Sequence, residues 1–498
     1  MLRKHIMKKS KVYSIFLNPF IVSVFLLTIL IFIALHPFFG FDESLWSYIG
    51  RIWNRNGIPP YIGSVENKTP GVFILFAISD YIFNGSILFV RIIGIFAIIT
   101  SSYFIYLFCK KVHSKLSGIL AMCIFSLVMS WSLLDGFCFA QTETFMLLFS
   151  IIAFYFITHT NNKRMQTKML LLAGLSMGMA ISFKQIAITT LIALFVFFLI
   201  YSSQGKTKVQ KVIGVIIIST GVILSFLAIY LILLIFGVSL IEYIEGTWLI
   251  LINKGSKAPN FETRVNNFAD IFIYSKFTIF YLFLFLAFYK TKILKNKYFI
   301  GLFIWLIIDF IGVNASGYYY GHQIKQLLIP IVILSGIGIA DFFYRKFFSN
   351  DKNMQMLFVV TVISLFFPYK QFKHTVSLIR ENQEIPIYEE LGEWIEKSTD
   401  EKDYIYVLGE NANLVKTLYC SNRLSSSRYF HSIFITSDVE RQIVFKDLQN
   451  NPPFYILNEI NFPIVKELYG ENTFHFINEK YTSFYKKDNY EILKRNTK

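Results

Sequence analysis

Long apolar stretches recur along the first three quarters of the chain, and short polar connections separate them. Several stretches exceed the roughly 18 apolar residues that a helix needs to cross a hydrocarbon core of about 30 Å. Hydropathy therefore predicts a polytopic α-helical membrane protein with about eleven spans. No small-residue cleavage site follows the first stretch, so we expect it to be a span rather than a signal peptide. The predicted spans are residues 14–36, 86–109, 116–134, 141–158, 168–183, 185–201, 210–236, 268–289, 298–315, 322–343 and 354–368.

Every second connection is rich in Lys and Arg, and this alternation predicts the topology. Six such loops hold 21 Lys or Arg residues and one acid, Asp351. The net charge of these loops therefore exceeds the net charge of the whole chain, +16. Because short basic loops stay on the cytoplasmic side, the amino terminus is expected inside and the carboxyl-terminal part outside. The basic charge therefore reflects topology and does not indicate a nucleic-acid partner. The basic loops are residues 1–12, 110–115, 161–168, 204–211, 290–297 and 345–352.

The first outer connection, residues 37–85, is long and partly apolar. It contains an amphipathic stretch that is expected to lie in the membrane interface. A second apolar stretch, about residues 71–84, is too short to span and predicts a re-entrant or interfacial helix. The other long outer connection is residues 237–267. The apolar residues of the amphipathic stripe are Leu45, Tyr48, Ile49, Ile52 and Trp53.

From about residue 369 the composition becomes more polar, which predicts a membrane domain at 1–368 and an extracytoplasmic domain at 369–498. Helical patterning is predicted over Pro386 to Lys397. Three short β-like runs suggest a small α/β domain. These runs are Tyr404–Leu408, Phe454–Leu457 and Thr473–Ile477.

Two groups of charged residues in the first outer connection are candidates for chemistry. Asp42 and Glu43 follow the first predicted span, where a carboxylate could serve as a general base for a lipid-borne substrate. Alternatively, Asp42 caps the amphipathic helix and Glu43 favours its dipole. Lys68 precedes a turn-forming Pro-Gly pair and is placed to meet a phosphate at headgroup depth. The alternative is that Lys68 only extends to the interface.

Further polar residues fall at the predicted outer ends of later spans. Arg91 lies about one turn inside its span, where a guanidinium faces a cavity or partner, or else extends to the interface. Glu143 begins the fourth span, either as a site carboxylate or as an ordinary helix-start acid, and Lys184 occupies an outer turn. His322 is a metal ligand, a phosphate contact or a structural residue. Tyr320, with its tyrosine neighbours, contacts substrate or belongs to an aromatic belt.

Several ordered motifs resemble the family 39 glycosyltransferases, a group with the GT-C fold that includes protein mannosyltransferases and aminoarabinose transferases. The resemblance covers most of the membrane part. This chain departs from the family pattern at three places. It has Lys-Thr-Pro at 68–70 where the family usually has Lys-Pro-Pro, and Glu143 where the family commonly has Asp. It also has tyrosines before His322, where some relatives have Arg. The motifs are Phe41-Asp42-Glu43, residues 55–61, Asn67-Lys68-Thr69-Pro70, Val90-Arg91, residues 140–146, residues 174–184 and residues 321–330.

The resemblance implies transfer of a sugar from a polyprenyl phosphate donor to a glycan, lipid or protein acceptor on the outer face of a bacterial cytoplasmic membrane. A phosphate leaving group has a second pKa near 6, so it departs without a general acid. One base and several cations then suffice. Asp42 is expected to be the base of an inverting reaction, with Glu43 beside it, while Lys68, Arg91 and Lys184 bind the donor phosphate. Glu43, Glu143, His322 and Tyr320 orient substrate, and whether the acids and His322 also hold a divalent metal ion stays open.

Two other functions remain open from the residues themselves. A lipid-linked glycan flippase would carry charges near the bilayer midplane, where Asp309 is the main candidate. An outer-face glycan polymerase would typically use loop arginines, whereas the first outer connection offers acids followed by Lys68. The four cysteines, Cys109, Cys123, Cys138 and Cys420, form neither a disulfide framework nor a metal-spaced cluster.

Overall fold

The computed structural model describes most of the chain, in several ranges. The predicted eleventh span, the domain boundary at 368/369, Cys138 and most of the eighth span lie outside the described residues. The described residues are 18–34, 40–131, 140–160, 166–201, 207–255, 259–274, 297–346, 373, 376–377, 387–409, 412–459, 462–487 and 490–496.

Helices dominate the described part of the chain up to residue 346. In chain order the α-helices are α1 Pro19–Ala34, α2 Phe41–Asn56, α3 Pro70–Phe83, α4 Ile87–Val112, α5 Lys115–Val128, α6 Thr142–Ile157, α7 Gln166–Phe183, α8 Ala187–Tyr201, α9 Lys208–Ile235, α10 Leu240–Ile244, α11 Ile250–Gly255, α12 Phe261–Ala269, α13 Lys297–Asn314, α14 Gly321–Ile324 and α15 Leu328–Lys346. Turns of π-helix at Glu245–Leu249 and Asp270–Tyr274 follow α10 and α12, and a 3₁₀ turn at Lys325–Leu327 joins α14 to α15.

Nine of the eleven predicted spans coincide with these helices. By length and composition, four described helical segments are long and apolar enough to cross a membrane: Ile87–Val112, Lys208–Ile235, Lys297–Asn314 and Gly321–Asp341. Further apolar helices are shorter than 18 residues, among them Thr142–Ile157 and Ala187–Tyr201. The chain is therefore a multi-pass helical protein of membrane type, and the number of eleven spans stays a prediction.

The chain divides into two compact units. Unit 1 comprises Met1–His36, Val90–Ile229 and Asn253–Glu381, and unit 2 comprises Pro37–Phe89, Tyr230–Ile252 and Asn382–Lys498. Unit 2 thus combines the first outer connection with the carboxyl-terminal residues.

The core of unit 1 is built from apolar faces of α4 to α8, α13 and α15. Aromatic stacking contributes to it: the rings of Phe154 and Trp305 are parallel, with centroids 3.6 Å apart. Glycines let helices approach closely, and a Cβ at Gly174 of α7 would overlap the backbone carbonyl oxygen of Ile218 in α9. Small residues at such crossings are typical of membrane helix packing.

The carboxyl-terminal part of unit 2 contains a five-stranded sheet of mixed direction. Its strands are β1 Tyr404–Leu408, β2 Leu424–Ser425, β3 Tyr455–Asn458, β4 Tyr481–Lys487 and β5 Tyr490–Arg495, in the order β2-β1-β3-β5-β4. Strands β2, β1 and β3 are parallel, while β5 pairs antiparallel with β3 and β4. The accompanying helices are α16 Ile387–Ser398, α17 Ala412–Cys420, α18 Asp438–Asn450, α19 Phe462–Tyr469 and α20 Glu471–Lys480.

This region confirms some local predictions and corrects one. The predicted helix at 386–397 is α16, the run at 404–408 is β1, and the run at 454–457 corresponds to β3 shifted by one residue. The strand predicted at Thr473–Ile477 is wrong, because these residues lie in α20. Thr473 and Ile477 are the buried positions of that helix, and their spacing of four is the helical repeat rather than the alternation of a strand.

The amphipathic stripe of the first outer connection forms α2, but protein rather than lipid covers it. All five stripe residues are at most 4% exposed. The ring of Trp53 contacts Phe236, with centroids 5.2 Å apart, and Tyr48 contacts Phe430 at 4.9 Å. Lipid therefore does not cover these side chains, and the position of α2 at the membrane interface stays a prediction. The second apolar stretch forms α3, which leaves Ile78, Tyr81 and Ile82 exposed.

Candidate functional site

A buried ion pair joins two neighbouring helices of unit 1. Glu143 lies in the first turn of α6, and Lys184 directly follows α7. These helices pack together and are joined by a short connection, so the start of α6 and the end of α7 lie at the same end. An acid at a helix start and a cation at a helix end both suit the helix dipole. Lys184 Nζ donates to Glu143 Oε1, and the two side chains are 16% and 3% exposed.

Two further basic residues surround this carboxylate. His322 and Lys325 act electrostatically on Glu143 together with Lys184. Lys325 is only 1% exposed, and its Nζ donates to Oε1 of Gln141, the residue before α6. Lys325 is not among the site residues predicted from the sequence, although its spacing of three from His322 places both on one side of a helical turn.

We refer to Glu143, Lys184, His322 and Lys325 as the basic cluster. It contains two lysines and a histidine around a single carboxylate. Thr142 Oγ1 donates to Glu143 Oε2 at 2.8 Å, so both carboxylate oxygens have partners. Lysine and histidine side chains are common partners of phosphate and carboxylate groups, so a cluster of this composition is a candidate site for an anion.

An aromatic ladder adjoins the basic cluster. The rings of Tyr318 and Tyr320 stack with centroids 5.4 Å apart, and Tyr320 stacks on His322 at 5.8 Å. Tyr320 is 54% exposed. The ladder therefore offers an accessible aromatic surface next to the cationic residues.

Arg91 is the other predicted cation in unit 1. It is the fifth residue of α4 and is 2% exposed, which makes it one of the largest fully buried side chains. It therefore lies about one helical turn from the start of α4. Burial requires that its charge be compensated within the protein.

Asp42 and Glu43 lie in the first turn of α2, in unit 2. Gly40, rather than Asp42, is the residue that caps this helix. Gly40 N–H donates to Glu43 Oε2 at 3.2 Å, and Glu43 is fully buried. The alternative in which Asp42 caps the helix is therefore wrong: Glu43 does the capping, and Asp42 is partly exposed at the second helical position.

Lys68 also lies in unit 2, within the loop that leads into α3. Its Nζ is 3.4 Å from Glu66 Oε1 and 3.3 Å from Asn67 Oδ1. Glu66 is 4% exposed. The hydroxyl of Tyr61 donates to the Lys68 carbonyl at 2.8 Å, which holds the loop. An acid therefore already accompanies Lys68, which none of the sequence motifs indicated.

Asp309, the acid predicted within a span, is a structural residue. It is 1% exposed and accepts hydrogen bonds from Thr189 and Thr190 of α8, from Trp305 of α13 and from Gln326 of the 3₁₀ turn. The bond from the Trp305 indole is 2.6 Å long. This network joins three helical elements and satisfies the carboxylate, so burial of the acid has a structural explanation.

The described residues do not suit a metal ion. Within the ranges given above, no group of three or more His, Cys, Asp or Glu side chains could hold one. The Glu143 carboxylate is occupied by Lys184 and Thr142, and cations rather than further acids surround it. The chemistry of this donor set is that of an anion site.

Comparison with known proteins supports the resemblance. Residues 67–238 match the family model of dolichyl-phosphate-mannose-protein mannosyltransferases. No curated protein matches the chain in sequence. Among solved structures, ArnT from Cupriavidus metallidurans bound to undecaprenyl phosphate is similar with a TM-score of 0.61 and 12% identity, covering 96% of this chain and 98% of that one.

The archaeal oligosaccharyltransferase AglB from Archaeoglobus fulgidus is also similar. Its complex with an inhibitory peptide and a dolichol-phosphate gives a TM-score of 0.58 at 12% identity, over 93% of this chain and 72% of that one. Its complex with Zn and sulfate gives 0.61 at 13% identity, over 93% and 71%. At these identities the structures establish the shared fold. Together with the mannosyltransferase family match, they confirm the resemblance predicted from the motifs.

Proposed function

We propose that this chain is a glycosyltransferase with the GT-C fold and that it transfers a sugar from a polyprenyl-phosphate donor to an acceptor hydroxyl. The reaction takes place on the outer face of a bacterial cytoplasmic membrane and inverts the anomeric centre. The observation that carries the proposal is the basic cluster, an anion site at the ends of membrane-type helices. The undecaprenyl phosphate and dolichol-phosphate bound by ArnT and AglB support a lipid phosphate as the anion.

The cations stabilise the departing phosphate. When the bond between the anomeric carbon and the phosphate oxygen breaks, negative charge develops on that oxygen. Lys184 and Arg91 are assigned to this charge, together with Lys325 from the cluster. Preorganised cations in a buried site stabilise such a charge better than water does, because they need not reorient during the reaction. Lys68 is assigned to the same phosphate and would have to exchange its contact with Glu66 for the donor.

Asp42 is assigned as the general base. The acceptor oxygen attacks the anomeric carbon from the side opposite the phosphate, its proton passes to the Asp42 carboxylate, and the lipid phosphate leaves. Glycoside hydrolysis needs two carboxylates, whereas this reaction needs one because phosphate departs without protonation. Glu43 holds the first turn of α2, and so supports Asp42.

The remaining site residues orient the substrate. Glu143 fixes the ammonium group of Lys184, and the stacked rings of Tyr320 and His322 offer a surface for a sugar. The acceptor class is a glycan, a lipid or a protein. The amino terminus lies inside and the carboxyl-terminal α/β domain outside, as the basic loops predict.

The satisfied network of Asp309 favours the transferase over the flippase. A coupling charge in a transporter must change its partners during the cycle, whereas Asp309 is held by four side chains from three elements. A structural role explains this acid without a transport function.

The test compares Asp42→Asn with a matched Asp→Asn change elsewhere. Purified protein in detergent receives a labelled polyprenyl-phosphate sugar and a panel of acceptors. Asp438 is a suitable control, because its side chain is 86% exposed and pairs across a helical turn with Arg441. Transfer by wild type and by Asp438→Asn, with loss of transfer in Asp42→Asn, supports the assignment. Near-normal turnover by Asp42→Asn would remove Asp42 as the base.

A further inference from the structure

Helix α2, which carries Asp42, is docked along its length on one segment of the carboxyl-terminal domain. We call this segment, residues 419–431, the docking segment; all contacts described below lie within unit 2. Near the start of α2, the ring of Phe41 meets the ring of His431, with centroids 5.1 Å apart. Phe41 directly precedes the proposed base.

The middle of α2 makes a second contact with the docking segment. Ser425 N–H donates to the hydroxyl of Tyr48 at 2.8 Å, and the Tyr48 ring packs edge-on against Phe430. Tyr48 is 2% exposed. Burial raises the pKa of Tyr48 above its ordinary value, so its hydroxyl stays neutral at working pH.

The end of α2 makes a third contact. The guanidinium of Arg51 lies 3.8 Å from the centroid of the Tyr419 ring and donates to the Tyr419 carbonyl oxygen. The Tyr419 hydroxyl in turn donates to the carbonyl of Gly85 at 3.0 Å, just beyond α3. Arg51 also lies 3.8 Å from Asp80 of α3. One arginine therefore ties both outer-connection helices to the carboxyl-terminal domain.

The three contacts fall on one face of α2. Phe41, Tyr48 and Arg51 are separated by seven and three residues, a spacing that keeps side chains on the same side of a helix. They span about 15 Å of helix axis, at 1.5 Å per residue. Contacts spread over this length restrain both the tilt and the axial position of the helix.

We propose that the docking segment is a positioning element for the reaction: by fixing α2, it sets the position of Asp42 relative to the acceptor hydroxyl. This inference rests on the proposed function, since it takes Asp42 as the base. Tyr48, Arg51, Tyr419 and His431 are positioning residues in this account. The carboxyl-terminal domain therefore contributes to turnover although the sequence shows no catalytic motif in it.

The test compares two tyrosines whose hydroxyls each accept a hydrogen bond from a backbone N–H group. The Tyr48 hydroxyl accepts from Ser425 N–H at 2.8 Å, and the Tyr469 hydroxyl accepts from Gly409 N–H at 3.0 Å. Both side chains are at most 2% exposed. Tyr48→Phe and Tyr469→Phe therefore each leave one backbone N–H without its tyrosine acceptor, and losses of melting temperature are expected in both variants. Only the first change affects α2.

We expect Tyr48→Phe to lower kcat on the order of tenfold or more, since small misplacements of a reacting group are costly, with the donor KM unchanged. Hydrogen exchange should become faster across residues 41–56. Tyr469→Phe should retain the wild-type kcat and the wild-type exchange in that helix. Equal kcat and equal exchange in the two variants would overturn the proposal.

A second pair of variants separates ring contact from hydrogen bonding. His431 Nδ1 accepts from Ile433 N–H, and both His431→Ala and His431→Phe lose this bond. Only the alanine variant also loses the contact with Phe41. Recovery of kcat in the phenylalanine variant supports positioning, whereas equally low kcat in both variants contradicts it.

The outcomes distinguish this inference from the proposed function. If Asp42→Asn abolishes transfer but Tyr48→Phe has wild-type kcat and exchange, the positioning role is wrong and the base assignment stands. If Asp42→Asn retains turnover, the proposed function fails, while exchange at residues 41–56 still reports whether the docking segment holds α2.

Discussion

The pair of Glu143 and Lys184 allows a sharp test, because Lys184 has two separable roles. It compensates a buried carboxylate, and in our proposal it also stabilises the donor phosphate. Lys184→Met removes both roles. Glu143→Gln combined with Lys184→Met removes the carboxylate as well, so no buried carboxylate is then left without Lys184, while the phosphate role of Lys184 is still missing.

The magnitudes follow from burial. Removing one partner of a buried ion pair costs about 3–5 kcal/mol, because the other charge stays buried. Glu143 is 3% exposed, but Lys325 and His322 still act on it, so we expect about 3 kcal/mol for Lys184→Met. The double variant leaves no buried carboxylate in the basic cluster, so part of that loss should be recovered, while the buried Lys325 loses its negative neighbour.

Turnover should follow a different pattern from stability. Loss of one preorganised group that stabilises developing charge lowers kcat by roughly 10²–10³-fold. We therefore expect both Lys184→Met and the double variant to be slow, although the double variant is the more stable. Thermal melting in detergent and transfer of labelled sugar measure the two effects separately.

The control is Lys397→Met, which removes a lysine from an ion pair whose side chains are 78% and 64% exposed. Exposed pairs contribute little, so melting temperature and turnover should stay at their wild-type values. Recovery of the wild-type transfer rate in the double variant would refute the phosphate role, since Lys184 would then matter only as a partner of Glu143.

Three other changes test separate parts of the account. Lys325→Gln keeps a hydrogen-bonding side chain but removes a buried charge. The rate of sugar transfer should fall about tenfold or more, while the melting temperature should change less than in Lys184→Met. Thermal melting in detergent and transfer of labelled sugar measure the two effects. Asp309→Ala removes the acceptor of several buried donors, among them the Trp305 indole, and each unpaired donor costs about 1–3 kcal/mol of stability. The melting temperature should drop, and turnover per folded molecule should persist. Loss of turnover in folded protein would contradict the structural role. Gly174→Ala would force a Cβ against the carbonyl of Ile218 and should lower stability by about 1–3 kcal/mol, and an unchanged melting temperature would contradict the close crossing.

The helices were predictable because their signal is local. A continuous apolar stretch specifies a membrane-type helix, and the Lys-rich loops mark its ends. What covers an apolar face is not local. The stripe of Leu45, Tyr48 and Ile49 has the same spacing whether lipid or protein covers it, and here protein does, with Phe430 from the far end of the chain against Tyr48.

The carboxyl-terminal domain shows the limits of short patterns. The five residues of β1 are nearly all buried, and their apolar run was recognised. Residues 473–477 are β-like in composition but form a helix, because their buried positions are four apart. Strand β4 was missed because most of its described side chains are exposed, which gives no apolar alternation to detect.

The candidate site was predictable as separate residues but not as a constellation. Glu143 and Lys184 each stood out, yet they are 41 positions apart, and their pairing depends on how α6 and α7 pack. Lys325 gave little signal because it lies among apolar residues and its partner, Gln141, is 184 positions away. Glu66 and Lys68 are close in the sequence, but the sequence does not show that their side chains form an ion pair.

The most direct measurement of the central claim uses proteoliposomes that contain a polyprenyl-phosphate sugar with label in both the sugar and the lipid. We predict that the sugar label leaves the lipid and appears on an added acceptor, at a rate that requires Lys184 and Asp42. Movement of intact labelled lipid across the bilayer, with no sugar released to any acceptor, would contradict the account and favour a flippase.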